Sequence, residues 1–167
     1  VAHVSVAHPT CAALSAKLAK AASASSAKLH QGGTYLAMEG PQFSTLAESL
    51  MYRNEWKADV IGMTNMPEAK LAREAEMCYA PIAMITDYDS WHADHGAVDI
   101  TEIIKTLTGN AENARKTIAA LPALLGPERA PCRCGCDRAL DHAIMTAPDK
   151  RDPDMVAKLD AIAGRVL

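Results

Sequence analysis

Two short apolar runs, "ADVIGMT" at 58–64 and "CYAPIAMIT" at 78–86, are separated by a helix-length amphipathic segment, "MPEAKLAREAEM" at 66–77. That order leaves few folds open. Strands that alternate with helices predict an α/β domain, and a strand, a crossover helix and a second strand form a parallel pair. Pro67 suits the first turn of the helix, and Glu68 places negative charge where the helix dipole favours it. Pro81 has no N–H to give a ladder, which keeps the second run from being fully paired without a bulge.

The flanks extend this pattern. "AHVSV" at 2–6 alternates like a strand, and "TCAALSAKLAKAAS" at 10–23 is rich in strong helix formers, with Pro9 placed for its first turn. Gly32 and Gly33 lie between two apolar stretches and predict a hairpin. Ser44 is the expected N-cap of a helix in "FSTLAESLMYRNEW". Asp99 and Glu102 have capping-box spacing before a helix that "TGN" at 108–110 is expected to bend or break. Helical pattern resumes up to Pro122. Beyond it the character changes to a Pro/Gly/Cys loop and a last capped helix in "DPDMVAKLDAIAGRVL". The expected division is therefore a main domain over 1–126 and an extension over 127–167.

Composition removes several classes of function. A net charge of -3 offers no basic surplus for nucleic acid, and 4% aromatic residues make a poor stacking platform for single strands. No apolar run approaches the roughly 20 residues of a membrane span. Five cysteines, an odd number, do not fit a secreted disulfide framework, and no signal peptide is visible, so the expected location is the cytoplasm. The nucleotide-binding and hydrolase motifs built on Gly-x-x-x-x-Gly-Lys-Ser, Gly-x-Gly-x-x-Gly and Gly-x-Ser-x-Gly do not occur.

Chemistry concentrates where the apolar runs end. Ligands of open α/β sheets gather at the C-terminal ends of strands, and the two runs end at Thr64 and Thr86, whose hydroxyls could serve one anion. Asp87 and Asp89 follow at once. Facing inward, they could accept from exocyclic amines or, protonated, donate to a ring nitrogen. By spacing alone, turn or capping aspartates are the commoner account. Phe43, in "EGPQFS", stands just before a helix start and could cover a flat ligand or simply fill a core. His92 and His95 share a helical spacing but lack a third ligand, so no metal is expected there. Cys132, Cys134 and Cys136 form a Cys-x-Cys-x-Cys run without a fourth ligand nearby, a weak metal signal that reads as loosely packed thiols.

The stretches "MEGPQFSTLAES", "ADVIGMTNMPEAKLAREAEMCYAPIAMITDYDSW" and "VDITEIIKTL" together closely resemble the 5′-methylthioadenosine phosphorylases, a branch of the trimeric purine nucleoside phosphorylase family. The match runs from about residue 3 to residue 125. The resemblance implies a mixed central sheet flanked by helices, and phosphorolysis of methylthioadenosine to adenine and 5-methylthioribose 1-phosphate. It implies no cofactor, inorganic phosphate being a co-substrate, and a homotrimer. By the same resemblance Phe43, Ile61 and Met63 would hold the purine and ribose, while Thr64 and Thr86 would donate to phosphate or the ribose. Asp87 would serve purine N7 and Asp89 the exocyclic N6. Ile100 and Ile103 would line the methylthio pocket, and His3 would reach a neighbouring subunit's site. Close alternatives are a purine nucleoside phosphorylase of different base preference and a non-catalytic fragment.

Two departures accompany the resemblance. Gly62 stands where better-known members carry an asparagine. The family's glycine-rich turn and most of its phosphate-binding residues would precede Val1, so the N-terminal strands are expected on another stretch of polypeptide, unseen here or a separate chain.

Overall fold

A computed structural model of the chain describes residues 1–92 and 100–167. Among the described residues six α-helices and two short strands follow in the order α1 (Ala12–Ala22), β1 (Tyr35–Ala37), α2 (Leu46–Asn54), β2 (Val60–Gly62), α3 (Asn65–Glu74), α4 (Ile100–Ala120), α5 (Pro122–Leu125) and α6 (Pro153–Ala163). The expected α/β class is what forms. β1 and β2 pair in parallel, with Tyr35 opposite Val60, Leu36 opposite Ile61 and Ala37 opposite Gly62. The chain divides into two compact units, one of residues 1–16, 67–81 and 127–167, the other of 17–66 and 82–126.

In the second unit the sheet forms differently from the expected hairpin. The Gly32–Gly33 pair leads into β1, whose partner is the later β2. The Asp59 carboxylate accepts from the Thr34 N–H at 2.6 Å and ties the two strand starts together. α2 begins one residue later than expected, because Thr45 and not Ser44 is its N-cap. Thr45 and Glu48 form a capping box, in which each side chain satisfies a backbone N–H left free by the helix start. Ser44 is buried instead, and its carbonyl accepts from the Ser90 hydroxyl at 2.9 Å.

α4 runs unbroken through Thr108–Gly109–Asn110. A helix interior tolerates one glycine at a cost of about 1 kcal/mol, and the Thr108 hydroxyl bonds back to the Ile104 carbonyl at 2.9 Å. The Asp99 cap lies outside the described residues, as does His95. Residues 78–86 form no strand, and Ile82, Met84 and Ile85 are exposed. The Tyr79 carbonyl accepts from the Cys11 N–H at 2.7 Å, and the Ile85 carbonyl from the Asn110 amide at 2.8 Å. Those two groups therefore go to partners outside any ladder.

In the first unit, residues 2–6 do not make the expected strand. Ala2 forms a single antiparallel bridge with Ile144, because the hydrogen bonds go to the extension: His3 N–H to the Ala143 carbonyl (2.8 Å) and Met145 N–H to the Val1 carbonyl (2.9 Å). Leu140, Ala143 and Ala163 form the core there, covered by Val4, Ile144, Val166 and Leu167. Pro9 precedes α1 rather than entering its first turn. Met66 is extended, so the regular part of α3 starts at Pro67, as expected. α6 is capped by Asp152, which accepts from the N–H groups of Asp154 and Met155.

Glu76 is the buried charge of this unit, 7% exposed. Arg165 bonds it at 2.5 and 2.9 Å, and Leu140 N–H donates to it at 2.9 Å. The Arg165 hydrogen bond outweighs burial and holds the Glu76 carboxyl below its ordinary range. Arg165 also pairs with Asp141 at 2.6 Å. One carboxylate thus joins the end of α3 to two turns of the extension.

Candidate functional site

The second unit carries a half-open cleft of 540 Å³ whose walls come from β1, the turn after it and α2. Leu36, Met38, Gly40, Phe43, Tyr52 and Trp56 supply much of the lining, and Glu39 and Glu48 bring carboxylates to it. Apolar walls with a few polar groups are the usual make-up of a small-molecule site. Phe43 is 84% exposed. An aromatic ring of that size left in water is a poor core residue but a free surface for a flat ligand.

The turn after β1 is held by close approach. Gly40 has φ +69° and sits against the Met63 side chain, so a Cβ there would come within 2.5 Å of the Met63 sulfur. Only glycine meets both conditions, an accessible left-handed backbone and no side chain. Met63 is thereby pinned just beyond β2, next to Thr64, while Ile61 lies within β2 opposite Leu36. A Cβ on Gly62 would overlap the Tyr35 hydroxyl. Tyr35 therefore occupies the space that a larger residue at 62 would need.

The segment after Thr86 is fastened to α2. The Ser90 hydroxyl donates to the Ser44 carbonyl, and the Trp91 N–H donates to the buried Ser49 hydroxyl at 3.1 Å. The Arg53 guanidinium lies 3.4 Å above the Trp91 ring, a cation–π contact. Tyr88 stacks on His92 at 4.5 Å, so His92 belongs to an aromatic cluster rather than a solvated loop. Just before these anchors the Thr86 hydroxyl bonds the Asp87 carboxylate. Asp87 is exposed and Asp89 half-buried.

The structure thus brings Gly40 against Met63, Thr86 against Asp87, and the 44–49 segment against Ser90 and Trp91. Ile100 and Ile103 share the first turn of α4, Ile100 being 72% exposed. His3 lies in the first unit, held by its backbone bond to Ala143. Sequence reading missed the role of Tyr35 beside Gly62. It also missed that Cys132 and Cys136 meet Cys11 and Cys78, with all four sulfurs within 4.8 Å of one another. Burial opposes ionisation of Cys132, but backbone N–H groups of Cys136 and Cys134 and its thiol neighbours bring it down to about 6. Burial and neighbouring thiols push Cys136 up to about 11 and raise Cys78 as well.

A parallel strand pair followed by an aromatic-lined cleft, with a threonine–aspartate pair on the segment that is fastened to α2, makes this an α/β domain with a candidate small-molecule site. The chain belongs to the Phosphorylase superfamily, whose family model matches residues 1–122. It is 70% identical over all 167 residues to S-methyl-5′-thioadenosine phosphorylase of Cereibacter sphaeroides, and 57% identical to that of Bradyrhizobium diazoefficiens. The chain spans 57% of the length of each of these relatives. Among solved structures, it superposes with a TM-score of 0.86 and 42% identity on a methylthioadenosine phosphorylase from an antarctic soil metagenomic library, covering 97% of this chain and 56% of that one. The Schistosoma mansoni methylthioadenosine phosphorylase in complex with adenine gives 0.70 and 28% identity, covering 84% and 54%.

Proposed function

We propose that the protein to which these residues belong catalyses phosphorolysis of S-methyl-5′-thioadenosine, releasing adenine and 5-methylthioribose 1-phosphate. The observation that carries this reading is the 70% identity, along the whole chain, to a phosphorylase of that specificity. Phosphate attacks the anomeric carbon as the bond to adenine breaks, and no cofactor is needed. Positive charge develops on the sugar, and the phosphate anion beneath it stabilises that charge. Thr64 and Thr86 donate to the phosphate or to the ribose edge that faces it.

Adenine is a poor anionic leaving group. Asp87 acts as the acid at purine N7, and Asp89 accepts from the exocyclic N6 amine, which a 6-oxopurine lacks. In the free protein the Thr86 hydroxyl donates to the Asp87 carboxylate, and this bond gives way when Thr86 turns to the phosphate and Asp87 to N7. Phe43, Ile61 and Met63 pack on the purine and ribose, the polarisable thioether of Met63 adapting to both. Ile100 and Ile103 wall the methylthio group and leave a 5′-hydroxyl without a partner. His3 serves the site of an adjoining copy in a homotrimer, and the phosphate site is completed by polypeptide preceding these residues in the full-length relatives. A cytoplasmic location goes with this reading, since all five cysteines are free thiols. Among the described residues no helix is long and apolar enough to cross a membrane.

The test is adenine release from S-methyl-5′-thioadenosine by the full-length protein, with and without inorganic phosphate. Release that depends on phosphate and yields a sugar 1-phosphate is expected. Equal release in its absence, with free methylthioribose as product, would make the enzyme a hydrolase.

A further inference from the structure

Cys11 precedes α1, Cys78 follows α3, and Cys132 and Cys136 lie in the extension, yet their four sulfurs are mutual neighbours within 4.8 Å. We propose that Cys11, Cys78, Cys132 and Cys136 bind one zinc ion, in a structural site that fastens the extension at 127–167 to the segments 1–16 and 67–81.

The geometry is that of a closed tetrahedral site. Four points so close share a centre within about 2.9 Å of each, against a zinc–thiolate bond of about 2.3 Å. A tetrahedron with such bonds has sulfur–sulfur edges of about 3.8 Å, and Cys11 and Cys132 already stand 3.6 Å apart. Small side-chain rotations close the remainder. Disulfides would instead draw the sulfurs together two by two to about 2.05 Å, and a cluster in which each sulfur has three near neighbours shows no such pairing.

The backbone around the cluster is shaped to hold it. The Gly135 N–H donates to the Cys132 carbonyl at 2.8 Å, and Gly135 takes φ +67°, a left-handed conformation that glycine adopts without strain. That turn returns the chain so that Cys136 joins Cys132, while Cys134 between them stays outside the cluster. The Cys11 N–H donates to the Tyr79 carbonyl, which fixes the segments of Cys11 and Cys78 together.

Donors also face the sulfurs. The Leu14 N–H, in the first turn of α1, reaches Cys11 Sγ at 3.4 Å, and Arg73 Nη1 reaches Cys136 Sγ at 3.4 Å. Metal-bound thiolates are stabilised by such outer contacts, and the arginine offsets part of the negative charge of a four-thiolate site. Cys11 and Cys136 are 1% and 2% exposed, so the ion would be shielded from water as structural zinc is. On binding, each thiol that still carries its proton gives it to solvent and four Zn–S bonds form, with no change in oxidation state.

Metal analysis of the full-length protein, purified without a polyhistidine tag or chelator in reducing buffer, tests this. One zinc per chain that survives dialysis is expected. Cys11→Ser and Cys136→Ser should each lower zinc content at least tenfold, while Cys134→Ser keeps it. Because cysteine variants can misfold, the zinc-stripped wild type is also reconstituted with cobalt(II), which should give thiolate-to-cobalt charge-transfer absorption and visible bands of a tetrahedral ion. Reduced wild type without stoichiometric zinc, two disulfides in its non-reduced intact mass, or equal zinc loss in Cys134→Ser would each overturn the proposal.

Discussion

The cysteine cluster and the cleft beside β1 collect their residues in opposite ways. The cluster draws four side chains from three distant segments and buries two of them almost completely. The cleft draws on short neighbouring stretches and leaves much of its aromatic lining in water, with Phe43 84% and Trp56 55% exposed. Burial and convergence suit a group whose task is to hold segments together. Exposure suits surfaces that a ligand will cover. The two regions should therefore answer mutation in different currencies, stability for the first unit and catalysis for the second.

Asp87→Ala offers the largest contrast. General acid catalysis by one positioned side chain is typically worth about 10²–10⁴ in rate, so kcat on S-methyl-5′-thioadenosine should fall by roughly that factor. The melting temperature should barely move, because Asp87 is exposed. A loss of stability of comparable size would erase the distinction between the regions.

Glu76→Gln is the counterpart in the first unit. It leaves Arg165 with Asp141 alone and weakens the link between α3 and the extension. Removing one partner of a fully buried pair costs about 3–5 kcal/mol, and Arg165 is half exposed, so a loss of about 2 kcal/mol in denaturant unfolding is expected. The rate per folded molecule should be unchanged.

Phe43→Ala should raise KM about tenfold with little change in unfolding midpoint, since its ring is solvated in the free protein. An increase in stability without any effect on KM would make the exposed ring a liability rather than a substrate cover.

Thr45→Ala is the smallest change. Loss of an N-cap costs about 1 kcal/mol, and here it also frees the 44–49 segment that anchors Ser90 and Trp91. The Thr45 hydroxyl, with its backbone N–H, holds the Glu48 carboxyl below its ordinary range. The contribution of that pair is therefore complete above the unfolded value and fades as pH falls through the lowered one. Acid titration of the wild type and Thr45→Ala should converge at low pH.

What the sequence revealed follows the reach of each signal. Helices were legible because their causes are local: the Pro67 start and the Asp152 cap are each contained in a few residues. The α2 cap was misplaced by one position because Ser44 and Thr45 are adjacent hydroxyls, and only the pairing with Glu48 separates them. Strands were less legible. The 2–6 alternation is real, but its hydrogen bonds go to residues 143–145, and the Gly32–Gly33 pair feeds a strand whose partner lies beyond α2. Part of the cleft could be approached through motif resemblance, because "GPQFS" is compact and supplies Gln42 and Phe43 to its lining; "GMT" and "TDYD" are as compact but lie outside that lining. The four-cysteine cluster could not, since Cys11 and Cys132 are brought together only by the fold. Tyr35 beside Gly62 was hidden for the same reason.

The central claim is that Asp87 supplies the proton on which adenine departs. Its most direct test compares wild type and Asp87→Ala on two 5-methylthioribosyl donors, S-methyl-5′-thioadenosine and a nitrophenyl glycoside whose leaving group needs no proton. The account predicts a loss of roughly 100-fold or more with the adenine donor, and a far smaller loss with the nitrophenyl donor. Equal losses on both donors would contradict it and reduce Asp87 to a positioning residue.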